Sequence, residues 1–130
     1  MQRGAIHSRE RAKQLRDFSK MRWGNITPTD NDCMLDFKNK LTVIAESKIK
    51  GEELPYGQRL ALERMCDDIQ RCKPCYLLIV EHEVYNPEDD IDFAETIVAE
   101  YRYNGNKHFP KKPIKLKRAI DIILKKHEIN

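Results

Sequence analysis

The sequence predicts an α/β domain in which a mixed β-sheet is flanked by helices. Short apolar runs of strand length alternate with segments whose apolar residues recur at helical spacing, in the order α-β-β-α-β-β-α. One of these runs, residues 75–84, is almost continuously apolar, as is typical of a buried central strand. At 130 residues the chain is expected to form a single domain, 1–130, with a sizeable core.

The first predicted elements are a basic helix and a β-hairpin. Helical spacing of apolar residues predicts a helix over residues 8–22, with Ser8 as N-cap and Gly24 after its end. Residues 32–37 and 41–48 are strand-like, and the short link between them contains Asn39, which tolerates a positive φ. We therefore expect these two strands to pair antiparallel.

The remaining elements complete the core, residues 26–103, and a basic C-terminal helix. A helix following Pro55 carries the apolar stripe Leu62, Met65 and Ile69, and Pro74 ends it. Residues 75–84 and 96–103 are predicted strands. The last helix, residues 115–127, has its apolar residues on one face and its lysines on the other.

Charge is distributed unevenly along the chain. The net charge of +3 divides into +5 over residues 1–25, −9 over 26–101 and +7 over 102–130. Such basic ends suit a protein that binds a polyanion, although solvated surface charge explains them equally well. There is no apolar segment of membrane-spanning length and no secretory signal, so we expect a cytoplasmic protein with no membrane and no organic cofactor.

The four cysteines leave two interpretations open. Cys72 and Cys75 form a C-x-x-C pair, and a zinc site would need Cys66 together with Cys33 or His82 as the other ligands. A second close pair is missing, so buried thiols are the favoured interpretation.

A candidate active site lies where the hairpin strands end. Glu46 and Lys48 are two residues apart in a strand and therefore project from the same face. Antiparallel pairing brings Asp32, at the start of the neighbouring strand, beside them. Two carboxylates can hold Mg²⁺, and a lysine can orient water or offset charge on a phosphate. Gln58 heads the apolar stripe of the following helix, so it either makes a local hydrogen bond or reaches into this site.

The ordered set "PTDND", "ESK" and a leading glutamine on the next helix resembles the PD-(D/E)xK nuclease superfamily over residues 26–82. The small Holliday-junction-resolvase-like and VRR-NUC-like members are the most similar. The resemblance implies a restriction-endonuclease-like core with Asp32 and Glu46 as metal ligands, joined by the backbone carbonyl of Ser47. It also implies that Lys48 is the catalytic lysine and that Gln58 matches the glutamine of many members.

Three features depart from that family pattern. Asp30 follows "PT" and competes with Asp32 for the first ligand position, although Asp32 directly precedes the apolar run. Residues 23–29 are barely long enough for the extra strand that members commonly have. Glu10, the only glutamate of the first helix, lies off its apolar stripe, so its place as a further metal ligand stays open.

From these residues we expect a Mg²⁺-dependent deoxyribonuclease, acting as an endonuclease and as a homodimer, with Mn²⁺ as a substitute ion. The alternative is a catalytically inactive nucleic-acid-binding or protein-inhibitor module on the same fold. Phosphate contacts are expected from basic residues near both ends of the chain: Arg9, Lys13, Arg16, Lys107, Lys111 and Lys112.

Overall fold

A computed structural model describes residue 13 and residues 15–130. Within them, five strands form one sheet and two helices pack against it. The strands are β1 (Cys33–Asp36), β2 (Thr42–Ile49), β3 (Cys75–His82), β4 (Ile97–Tyr103) and β5 (Asn106–His108). The helices are α1 (Tyr56–Gln70) and α2 (Leu116–Lys126), and a 3-10 turn covers Phe93–Glu95.

The sheet is mixed, as the sequence predicts, with the strand order β1-β2-β3-β4-β5. The β1–β2 hairpin is antiparallel, and its turn places Lys38 and Asn39 at φ values of 56° and 62°. The side chain of Asp36 stabilises this turn by accepting a hydrogen bond from the Asn39 N–H at 2.9 Å. β2 and β3 pair in parallel because the chain crosses over through α1 between them. β4 and β5 then extend the sheet antiparallel.

Helices α1 and α2 cover opposite faces of the sheet. Alternate residues of β2 and β3 point to each face, and both sets are apolar. The α1 face buries Ile44, Leu62, Cys66, Cys75, Leu77 and Ile79. The α2 face buries a larger set that includes Leu41, Val43, Ala45, Leu78, Val80 and Ile120. Glu46 follows Ile44 on the α1 face, so the buried row on that face ends in a carboxylate.

The predicted helix over residues 8–22 is not present in its described part. Residues 15–22 contain only a turn, and the rest of that prediction, except Lys13, lies outside the described residues. The Ser19 N–H donates to the side chain of Asp17 at 2.9 Å, a local bond that competes with helical hydrogen bonding. Leu15 and Phe18 are exposed, so a helix here would have no apolar face packed against the core to stabilise it.

Two further elements differ from the sequence prediction. β5 is an additional strand of three exposed residues, with no apolar pattern to reveal it. A two-residue bridge, Trp23 with Ile26, stands where the family pattern has a further strand. In the portion of the chain that the structure describes, no helix has the length and apolar character needed to span a membrane.

Candidate active site

The centre of the candidate site is Glu46, a carboxylate buried at the end of an apolar strand. Its side chain is only 4% exposed. Oε2 accepts a hydrogen bond from the Asp32 N–H at 3.1 Å, and Oε1 accepts one from Gln58 Nε2 at 2.9 Å. Both carboxylate oxygens are therefore fixed by donors from other elements of the fold.

Asp32 lies opposite Glu46 because the hairpin register pairs Cys33 with Ala45. The Asp32 Oδ2 atom accepts hydrogen bonds from the Ser47 N–H at 2.9 Å and from the Ser47 hydroxyl at 2.6 Å. The two sides of the hairpin are thus linked reciprocally, because a backbone N–H on each side donates a hydrogen bond to the carboxylate on the other. This linkage orients both acids at the same end of the hairpin.

Gln58 connects this pair of acids to helix α1. It lies in the first turn of the helix, and its Nε2 atom donates to both Glu46 Oε1 and the backbone carbonyl of Asp30, the latter at 3.2 Å. The sequence left open whether Gln58 makes a local hydrogen bond or reaches into the site, and the structure shows the second arrangement. Asp30 is bound through its backbone, and its side chain is close enough to act electrostatically on Glu46.

The electrostatics of the site disfavour a negative charge on Glu46. Burial raises the pKa of Glu46 to about 7, and the negative charges of Asp32 and Asp30 raise it as well. The hydrogen bonds from the Asp32 N–H and from Gln58 lower this pKa and oppose those effects only in part. Among the described residues, neither Glu46 nor Asp32 forms an ion pair with a basic side chain.

This shortage of positive charge fits a divalent cation. Asp32 and Glu46 supply hard carboxylate oxygens, which Mg²⁺ prefers, and Mg²⁺ is usually held by one or two carboxylates while it keeps several waters. Within residues 13 and 15–130, no group of three or more acidic, His or Cys side chains converges, so any further protein ligand would have to be a backbone or amide oxygen. Two carboxylates at one end of the hairpin are a donor set that a hard divalent cation such as Mg²⁺ fits.

Lys48 lies on the same face of β2 as Glu46, but its ammonium group is bound elsewhere. Lys48 Nζ donates to the backbone carbonyl of Glu52 at 2.6 Å and lies 3.8 Å from Glu81 Oε2. The side chain thus spans from β2 to the loop before α1 and to β3. The alternation of side chains along a strand predicts the face of β2 from which Lys48 projects. The direction in which its long side chain then turns depends on these tertiary contacts.

The basic residues predicted to bind phosphate are distributed over several segments. Lys107 lies on β5, where it pairs with Glu100 at 3.5 Å, and the others in the described part are exposed: Lys13, Arg16, Lys111 and Lys112. Arg9 and the possible metal ligand Glu10 lie outside the described residues.

Sequence reasoning missed a group of charged side chains between α1 and β4. The buried carboxylate of Glu100 pairs with Arg59 and Lys107. Arg102 makes a two-pronged contact with Asp67, at 2.8 Å and 2.7 Å. The alternation of Glu100 and Arg102 with apolar neighbours in β4 was a visible hint that both face one side. Their partners on α1 are 41 residues away for Glu100 and 35 for Arg102, and only the packing of α1 on the sheet identifies them.

The four cysteines do not converge on one point. Cys33 packs with the core on the α2 face, whereas Cys66 and Cys75 are buried on the α1 face. Cys66 Sγ donates to the backbone carbonyl of Cys75 at 3.4 Å, and Cys72 is exposed. Because the sheet separates these thiols, a zinc ion shared by all four is incompatible with the fold.

Comparison of the chain with protein-family models, curated proteins and solved structures found no match.

Proposed function

We propose that this chain is a divalent-metal-dependent nuclease that hydrolyses phosphodiester bonds in DNA. The observation that carries the proposal is the placement of two carboxylates, Asp32 and Glu46, side by side at the end of a hairpin. Each is held by a backbone N–H of the opposite strand, and Gln58 reaches Glu46 from the helix. The hairpin, the α1 crossover and the parallel strand β3 support the proposal, because they follow the strand–hairpin–helix–strand order on which the resemblance rests.

Asp32 and Glu46, with the backbone carbonyl of Ser47, would hold Mg²⁺, and Mn²⁺ is the expected substitute. When bound, the ion would polarise the scissile phosphoryl group and acidify the attacking water. Ser47 fixes the carboxylate of Asp32 through two hydrogen bonds, and Gln58 fixes one oxygen of Glu46. Preorganisation of this kind lowers the cost of assembling the site around the ion and the phosphate.

Lys48 supplies the positive charge of the proposed mechanism. Its ammonium group can offset negative charge that develops on the phosphate in the transition state, or orient the attacking water. In the structure Lys48 Nζ is bound to the Glu52 carbonyl and lies near Glu81. Substrate phosphate would compete with these contacts, so Lys48 would turn towards the phosphate when DNA binds.

Binding of DNA would depend mainly on contacts with the phosphate backbone. Lys107, Lys111 and Lys112 follow β4 and precede α2, and these lysines would attract phosphates without reading sequence. The homodimer and the contribution of Arg9, Lys13 and Arg16 stay predictions from the sequence.

The proposal is tested by incubating the protein with supercoiled, single-stranded and branched DNA, and with RNA, in Mg²⁺, Mn²⁺ or EDTA. We expect cleavage of DNA that depends on the metal and falls at least about 100-fold in Glu46→Gln and in Lys48→Ala. Glu88→Gln, which removes an exposed carboxylate outside the site, is the matched control and retains the wild-type rate. Binding of DNA without cleavage in any metal would refute the nuclease and identify a binding module instead.

A further inference from the structure

A groove of about 450 Å³ opens beside the candidate active site, on the α1 face of the sheet. Lys48 lines this groove and also follows Glu46 by two residues, so the Cα atoms of these two residues lie about 7 Å apart along β2. The other main lining residues come from the start of α1 and from the β4–β5 region: Tyr56, Arg59, Glu100, Lys107 and Phe109. The groove and the site therefore share one residue and one side of the molecule.

Two aromatic side chains line the groove and are largely exposed to solvent. Tyr56, the first residue of α1, is 78% exposed, and Phe109, just after β5, is 67% exposed. Neither contributes to the two cores. Lys107 Nζ lies over one face of the Phe109 ring, 6.0 Å from its centroid, so a base would stack on the other face of Phe109 and on the exposed ring of Tyr56.

The same groove contains fixed cations. Glu100 is buried and pairs with both Arg59 and Lys107, and Arg59 Nη1 also lies 3.9 Å from Glu63 Oε2. A guanidinium group carries five N–H donors and an ammonium group three, so these ion pairs position the cations without using all their donors. Three of the charged residues lining the groove are basic (Lys48, Arg59, Lys107) and two are acidic (Glu53, Glu100). The lining therefore offers cationic donors to a phosphate, while the paired carboxylates offset much of their charge.

We propose that this groove binds one unpaired nucleotide of the substrate, adjoining the phosphate that is cleaved. This inference rests on the proposed nuclease function and specifies its substrate class as single-stranded or branched DNA. The base would stack on Tyr56 and Phe109 while its phosphate contacts Arg59 and Lys107. Only an unpaired base offers its face to an aromatic side chain, because neighbouring base pairs cover that face in a duplex. The groove has the volume of a small-molecule site, which matches one nucleotide.

The test measures binding separately from cleavage. Fluorescence anisotropy in EDTA gives the affinity of the full chain for a labelled oligothymidylate and for a duplex of equal length. The double variant Tyr56→Ala/Phe109→Ala should weaken binding of the single strand about tenfold or more and leave duplex binding unchanged. Tyr85→Ala is the matched control, because Tyr85 is also 67% exposed but lies outside the groove.

Unchanged single-strand affinity in the double variant would overturn the proposal, and so would an equal loss in Tyr85→Ala. A urea-unfolding midpoint equal to that of the wild type establishes that the exposed substitutions leave the fold intact. The outcome is distinguishable from failure of the nuclease proposal. If the groove is wrong but the nuclease is right, the double variant cleaves single strands at the wild-type rate. If the nuclease is wrong, no cleavage occurs, while the loss of affinity in the double variant is still measurable.

Discussion

Replacement of Glu46 by glutamine should change how the stability of this protein depends on pH. In the folded protein the pKa of Glu46 is raised from 4.5 to about 7, first because the side chain is buried and also because Asp32 and Asp30 are negative. Between pH 4.5 and 7 the folded state therefore binds more protons at this site than the unfolded state does. Stability must then fall as pH rises through this interval, which is the reverse of the usual behaviour of a paired carboxylate.

The magnitude follows from the size of the shift. One pKa unit corresponds to about 1.4 kcal/mol, so the raised pKa costs the wild type about 3 kcal/mol once the pH is well above 7. Glutamine has the shape of the protonated acid, and its side-chain oxygen can still accept the hydrogen bond from Gln58. Its amide NH₂ group then faces the Asp32 N–H, so two donors meet at that position. The protonated acid has the same conflict, so wild type and Glu46→Gln should be similar in stability near pH 5.

Urea unfolding, followed by circular dichroism in EDTA at pH 5 and pH 8, measures this difference. We expect the unfolding free energy of Glu46→Gln to lie within about 1 kcal/mol of the wild-type value at pH 5 and to exceed it by about 3 kcal/mol at pH 8. The control Glu88→Gln removes an exposed carboxylate and should follow the wild type at both values. If the difference in unfolding free energy between the wild type and Glu46→Gln stays constant from pH 5 to pH 8, the raised pKa of Glu46 is refuted.

Three other substitutions test separate parts of the fold, each by the urea-unfolding midpoint. Ser47→Ala removes the 2.6 Å hydrogen bond to Asp32 and should lower the unfolding free energy by about 1 kcal/mol, and an unchanged midpoint would contradict the contact. Leu62→Ala leaves a cavity between α1 and the sheet and should cost about 3 kcal/mol, whereas a loss below 1 kcal/mol would refute its burial. Asp67→Asn weakens the contact with Arg102 and should cost about 1 kcal/mol at pH 7. Because the hydrogen bond from Arg102 lowers the pKa of Asp67 from 3.8, the difference in unfolding free energy between the wild type and Asp67→Asn should decrease below pH 3.8. A difference that persists there would exclude the charge pair as its cause.

The hairpin and the pairing of its acids could be predicted because local patterns determine them. Short apolar runs identify the two strands, and Asn39 accommodates the turn between them. Once the turn is placed, the register follows, and Asp32 must lie opposite Glu46. The position of Gln58 also follows from helical spacing, because it extends an apolar stripe that faces the sheet.

Other features depend on tertiary contacts that the local sequence does not contain. Leu15 and Phe18 have helical spacing, but a helix forms only if that face finds a surface to pack against, and in the structure both side chains are exposed. The ion pair of Arg59 with Glu100 and the direction of Lys48 depend on how α1 is placed over the sheet. Strand β5 pairs with the edge of β4 and has no apolar pattern of its own that would identify it as a strand.

The central claim, that Asp32 and Glu46 form a phosphodiester-cleaving pair, is tested most directly by comparing Asp32→Asn with Asp30→Asn. Asparagine at position 32 can still accept a hydrogen bond from Ser47, so the hairpin should stay folded while one anionic ligand is lost. Cleavage of single-stranded DNA in Mn²⁺ should fall at least about 100-fold in Asp32→Asn, with DNA binding retained. Wild-type cleavage by Asp32→Asn, with the loss found in Asp30→Asn instead, would contradict the proposed pair.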